Sequence, residues 1–222
     1  MSLRTLAAAG AAALSLGLVA CGDDGDTATA AGGGDAPAAA APAPAAQVDA
    51  LTGETTQVTL DAGFVEALTA LKVTPGPVGD ATIEEGVASF PITGGNVKYF
   101  EPGTVSPFVQ GLIEHDGSGL SLEAGGKLVE LENFDIDPGR SVLTGDVSVD
   151  GEEAAAGAPL FFLDGRTLKP LQAGTDGTAV LEGTTVKLKA EAAELLNTTF
   201  GIDALTEGLV IGVAKITVNT GA

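Results

Sequence analysis

The chain has 222 residues, with 30 acidic against 10 basic side chains, a formal net charge of −20, one histidine, one cysteine and no tryptophan. A surface this acidic repels phosphate backbones and anionic lipid headgroups, which argues against nucleic-acid binding and against membrane attachment through a basic patch. A lone cysteine leaves no disulfide to form, so stability has to come from packing.

The N-terminus carries one basic residue, Arg4, then an apolar run from Leu6 to Ala20, and then turns abruptly polar at Gly22-Asp23-Asp24. A basic start, an apolar stretch of this length and small residues at its end describe a secretory signal rather than a membrane span, here residues 1–20. Leu18-Val19-Ala20-Cys21 resembles the lipobox of bacterial lipoproteins. That resemblance implies that Cys21 takes a diacylglyceryl group and becomes the mature N-terminus. The domain would then sit on the extracytoplasmic face of the cell membrane, held by acyl chains. The plainer alternative is an ordinary signal cut near Ala20.

Residues 22–56 consist of Ala, Gly, Pro, Thr and Asp with few larger apolar side chains, no aromatics, and no lysine or arginine. Such a segment buries too little apolar surface to offset its ordering entropy, and the expectation is a disordered tether. As a flexible coil it would hold the domain roughly 30–35 Å from its anchor.

From Gln57 onward (the domain at 57–222) short apolar runs are broken by Gly, Asp, Asn or Pro at strand-like intervals. Candidate strands are Ala88 to Ile92, Phe108 to His115, Leu120 to Leu122, Lys127 to Glu132, Phe134 to Ile136, Ser141 to Val149 and Pro159 to Leu163. Gly125-Gly126 suits a tight hairpin. Leu160-Phe161-Phe162-Leu163 is apolar throughout and predicts a strand covered on both faces.

Two helices interrupt this pattern. Asp61 is a natural N-cap, and Phe64, Leu68 and Leu71 share a face; later, Ala192, Leu196 and Phe200 do the same before Gly201. The two segments match at an offset of 128 residues, Val58 with Val186 and Leu68 with Leu196. Val78–Ile83 then parallels Ile211–Ile216. The expected fold is mainly β: a β-sandwich or strongly bent antiparallel sheet with two short helices in strand-helix-strand units related by a pseudo-twofold.

Few constellations carry chemistry. Glu114-His115-Asp116 holds the one histidine, whose flanking carboxylates would raise its pKa; Gly117-Ser118-Gly119 follows, so it reads as a strand end entering a turn with no catalytic task. One histidine cannot build a two-histidine metal site. Asp135 and Asp137 share a strand face and could hold calcium or act as acid and base, but a solvated edge fits them better. Glu84-Glu85 and Glu152-Glu153 read as loop charges. There is no G-x-S-x-G elbow and no phosphate-cradling loop.

Phe90-Pro91-Ile92-Thr93-Gly94-Gly95, Ile113-Glu114-His115-Asp116-Gly117, Leu120-Ser121-Leu122, Leu131-Glu132-Asn133-Phe134 and the unit from Val186 to Leu196, in this order, resemble the Htaa (haem-transport-associated) domain of actinobacterial surface proteins. The resemblance implies a β-sandwich-like fold with two short helices. In members that bind haem it implies an iron-ligating tyrosine on the first helix and a supporting histidine in a His-x-Gly turn. His115 takes the second place, but the first helix offers Phe64 and Leu68 where the tyrosine would stand. Tyr99, the sole tyrosine, falls near a hairpin end about 20 Å along the strand from His115 at 3.3 Å per residue.

These readings make the chain a lipid-anchored, non-enzymatic envelope protein with a binding or structural role, an unknown ligand and no cofactor. The alternative is a carrier of haem or another hydrophobic ligand, with His115, Phe64 and Leu68 as candidate contacts. An apolar slot beside the first helix, edged by His115, would favour the carrier; a filled core would favour the structural role.

Overall fold

Each strand candidate becomes a strand because its β-branched and aromatic side chains alternate across the pleat and Gly, Asn or Asp supplies the turns between them. The computed structural model of the chain describes residues 41–220. In order, the elements are β1 (Ala46–Val48), β2 (Glu54–Leu60), α1 (Ala62–Leu71), β3 (Thr74–Gly79), β4 (Thr82–Glu84), β5 (Val87–Pro91) and β6 (Gly94–Tyr99). They continue as β7 (Val109–Ala124), β8 (Lys127–Asp137), β9 (Val142–Val149), β10 (Glu152–Asp164), β11 (Gln172–Ala173), β12 (Thr178–Leu188), α2 (Ala190–Phe200) and β13 (Val210–Asn219).

All of these strands join one curled antiparallel sheet in the order β1-β6-β7-β8-β9-β10-β12-β13-β2-β5-β4, with β3 added to β7 and β11 to β12. The order turns back on itself, so β2 and β5, though distant from β7 along the sheet, face it across the concave side. That concave side holds the core. Phe90 from β5 meets Phe134 from β8 edge to face at 5.3 Å, a geometry favoured by the ring quadrupoles.

The two helices form where capping and amphipathicity predict. Asp61 Oδ1 accepts from the backbone N–H groups of Gly63 and Phe64, and Phe64 and Leu68 are buried. Gly201 closes α2 in the left-handed conformation, φ 67°. The 128-residue offset is realised as two strand-to-helix junctions, with Ala62 and Ala190 as the first helical residues. The strands after the helices pair differently: β3 adds to β7, whereas β13 lies between β12 and β2.

Two expectations from the sequence give way to longer, bent strands. Phe108–His115 and Leu120–Leu122 are parts of one strand, β7, as are Lys127–Glu132 and Phe134–Ile136 of β8. At their junction three residues, Asp116 to Ser118, face one, Asn133. Asn133 adopts φ 53° and Gly117 φ 71°, and the Asn133 side chain accepts from the Gly117 N–H. This is a β-bulge, which bends the pair and increases its twist. Likewise, the run Leu160-Phe161-Phe162-Leu163 is not covered on both faces: three of the four are buried, while Phe162 is 44 % exposed.

The ordered chain also begins before Gln57. Of the expected tether, residues 22–40 lie outside the described residues, but β1 pairs with β6, Leu51 is buried, and Thr56 is inside the core. Composition predicted disorder there because β1 is held by backbone hydrogen bonds, which do not need large side chains. A chain beginning at Gln57 is therefore expected to be less stable than one beginning at Ala41 by about 2 kcal/mol or more, the scale of burying one leucine. Urea denaturation measures the difference, and equal midpoints would show that the 41–56 segment contributes nothing.

Candidate functional site

The bulge decides where His115 points. The strand does not end there, and the ring does not sit in a solvent-facing turn: it is turned into the core and is 1 % exposed. Its Nδ1 lies 2.9 Å from the Phe134 carbonyl oxygen and its Nε2 2.8 Å from Thr56 Oγ1. A carbonyl can only accept, so Nδ1–H donates to it, Nε2 is unprotonated, and the Thr56 hydroxyl donates to Nε2. The imidazole thereby joins β7 and β8 on one side of the concavity to β2 on the other. Burial pushes its pKa below the ordinary value, outweighing the opposing pull of the Phe134 carbonyl and Asp116. The upward shift expected from the flanking carboxylates is overturned: Asp116 does pull the pKa up, but the desolvation of the buried ring outweighs it.

Thr56 lines two adjoining cavities. On His115's side is a small inner cavity of about 50 Å³, lined also by Phe90, Leu120 and Phe134. On the far side is an apolar cleft of about 800 Å³, to which Thr56, Val58, Ile136, Leu143 and Val186 also contribute. This volume falls within the range of small-molecule sites. The cleft arises because the sheet curls without closing. Half-buried side chains such as Val97 on β6, Leu181 on β12 and Ile216 on β13 face the interior with no opposing strand to fill it.

The sequence-derived site residues are not brought together. Phe64 and Leu68 are core side chains of α1 and line neither the cleft nor the inner cavity. His115 lines only the inner cavity. Cys21 lies outside the described residues. Tyr99 pairs with Val109 at the opposite end of the β6–β7 ladder from His115, as its position in the hairpin implies. It does line the cleft, with its ring edge-to-face on Phe108 at 5.9 Å. Among the cleft-lining side chains it is the only one drawn from tyrosine, histidine, cysteine and methionine, the types that ligate haem iron most often.

The cleft's one charged rim was not expected. Asp164 ends β10 and is buried; its carboxylate accepts from Arg166 Nε at 2.8 Å and from Lys187 Nζ at 2.8 Å. These two cations and the Arg166 backbone N–H hold the Asp164 carboxyl far below the usual carboxylate range. Asp164, Arg166 and the exposed Phe162 all line the cleft. The pattern Asp164-Gly165-Arg166 reads as a turn in sequence; only the fold shows that the turn borders a cavity. On the outer face, Asp135 lies across from Glu114, and its pKa is pushed up first by desolvation and then by the like charges of Glu114, Asp116 and Asp146. Asp137 accepts from the Arg140 backbone N–H in a turn. No cluster of three metal-binding side chains occurs among the described residues.

Replacing His115 with Ala is expected to cost about 2–5 kcal/mol, because it opens a cavity and strands the Phe134 carbonyl and the Thr56 hydroxyl. The native ring also predicts a pH dependence. Its pKa is depressed by folding, so the unfolded state binds the proton more readily. The stability it contributes is complete above about pH 6.5, the ordinary imidazole value, and is lost as pH falls below it. Denaturation midpoints measured from pH 7.5 to 5.5 test this; His115→Gln should flatten the profile across that window, and an unchanged slope would place the effect elsewhere.

No family model matches the chain, and no curated protein matches it. Among solved structures, the fold is similar to that of the C-terminal domain of HtaA from Corynebacterium glutamicum, with a TM-score of 0.53 and 17 % identity over 76 % of this chain and 97 % of that one. The heme binding protein HtaB from the same organism aligns with a TM-score of 0.49 and 12 % identity over 78 % of this chain and 95 % of that one. At 17 % identity the likeness to the HtaA domain establishes that the two share a fold, the curled Htaa-like β-domain.

Proposed function

We propose that the domain is a non-enzymatic carrier of a flat, largely apolar ligand, with haem the leading candidate, held in the cleft between β1–β6 and β12–β13. The observation that carries this reading is the cleft itself: about 800 Å³ lined by aliphatic and aromatic side chains in a β-domain. A protein with a purely structural role gains nothing from leaving so much apolar surface unpaired. The shared fold with the HtaA domain supports the same reading. So does the resemblance of the sequence to haem-transport-associated domains, although in this chain the available phenol comes from β6 rather than from the first helix.

Titrating haemin into the full chain while following the Soret band tests the proposal. The expected result is a saturable one-to-one shift, weakened by about tenfold or more in Tyr99→Phe. The shift should survive in His115→Gln at neutral pH, because His115 lines the inner cavity and not the cleft. Uptake that does not saturate would overturn the carrier reading for haem.

The carrier is further proposed to be lipid-anchored through Cys21 on the outer side of the cell membrane, on the strength of Leu18-Val19-Ala20-Cys21 at the end of a signal-length apolar run. Cys21→Ala should move the protein to the soluble fraction. A variant that stays with the membranes would place the anchor elsewhere.

A further inference from the structure

Residues 45–53 run from one margin of the curled sheet to the other. Ala45 N–H donates to the Tyr99 carbonyl at 2.8 Å, and β1 then pairs with β6, so the segment starts on one wall of the cleft. Leu51 N–H donates to the Gly95 carbonyl at 2.9 Å, still on β6. One residue later the Thr52 carbonyl accepts from Asn219 Nδ2 at 2.9 Å, at the end of β13 on the other wall. β6 and β13 share no backbone ladder of their own. The segment is therefore a strap across the gap between them, and Ala46, Gln47 and Val48 line the cleft.

This strap is the weakest side of the cleft. Every other strand that lines it is bonded along both edges, whereas β1 is bonded along one and is three residues long. Leu51 is the only fully buried side chain between residues 45 and 53. Just beyond it, Gly53 at φ 83° and Glu54 at φ 72° both take the left-handed conformation. Glycine adopts it freely, but for a glutamate it is strained. After that point β2 is held firmly between β13 and β5. The parts are thus a short backbone ladder, one apolar latch and a strained pivot. The ladder can part without breaking any bond between β6 and β7. Segments with so few buried contacts open at a lower free energy than the whole domain.

We infer that residues 45–53 are the entrance gate of the cleft: the strap swings off β6 about Gly53–Glu54, withdraws Leu51, admits the cargo from the side and re-seats over it. The inference rests on the carrier reading and names how its site is entered. Ala46 and Val48 are the half-buried positions of β1 and Gln47 the exposed one. Cargo that touches the half-buried pair has more contacts in the closed form than in the open one, so its binding shifts the strap toward closure. Entry is limited by the fraction of molecules that are open, which the Leu51 latch sets.

The test measures the opening and then prevents it. Hydrogen exchange on the native full chain, free of ligand, should show the bonded amides of Ala45 and Leu51 exchanging about tenfold or more faster than those of β7. Gln47 and Lys98 are direct partners and both exposed. Opposed residues of an antiparallel ladder stand about 4.5–5.5 Å apart, within the span of a disulfide. The full chain carrying Cys21→Ala, Gln47→Cys and Lys98→Cys is then compared with itself, oxidised and reduced. In stopped-flow mixing with haemin the oxidised form should take up the probe about tenfold or more slowly than the reduced form, and Leu51→Ala in the native chain should speed uptake. Equal uptake by the oxidised and reduced forms would overturn the gate while leaving the carrier intact. So would strap amides that exchange no faster than those of β7. A native chain that takes up no haemin would remove the carrier reading for haem and the gate with it.

Discussion

The hydrogen-bonded bridge from Phe134 through His115 to Thr56 holds the two walls of the curled sheet together. A curled sheet that does not close must be tied across its concave face, or its ends are free to splay. The imidazole does this with two directed bonds in a dry environment, where each is stronger than in water and more costly to break. Its place in the sequence is prepared by the bulge, since the turn of backbone at Asp116–Ser118 is what aims the ring inward. The filled core lies to one side of the bridge and the open cleft to the other. The residue that family resemblance assigns to ligand support thus serves here, first of all, as a structural tie.

Much of the architecture was legible because it rests on local rules. Asp61 and Gly201 mark helix ends through their capping chemistry, and Gly125-Gly126 makes the hairpin turn with both residues at positive φ. In β8 the buried residues are Val129 and Leu131, then Phe134 and Ile136, so the alternation itself records the residue inserted at Asn133. Where long-range partners decide, the sequence was silent or misleading. Asp116-Gly117-Ser118-Gly119 has the composition of a turn, and nothing local distinguishes a turn from a bulge whose chain continues in the same strand. The β1 segment lacks bulky side chains, yet it is kept by a backbone ladder to β6.

The cleft was the least legible feature. A strand facing a packed core and a strand facing an empty cleft show the same apolar alternation, because that pattern reports which face is turned from bulk water, not what lies opposite it. Leu181 and Ile216 read equally well as core. Only the sheet order, with β1 and β12–β13 left apart, distinguishes the two. The same holds for charge: a total of −20 describes the surface on average and does not tell where cations gather, as Arg166 and Lys187 do around Asp164.

The free edges of the sheet bear on how the molecule meets others. β1 and β4, at the two ends of the strand order, are three residues each, and β11 is two. β3 is longer but contains Pro75 and Pro77, neither of which has an N–H to donate. Short and proline-bearing borders offer no extended row of unpaired backbone groups to an incoming strand. Copies packed at high density on a surface would therefore resist annealing into shared sheets, so the molecule's crowding tolerance is built into its margins rather than into its charge alone.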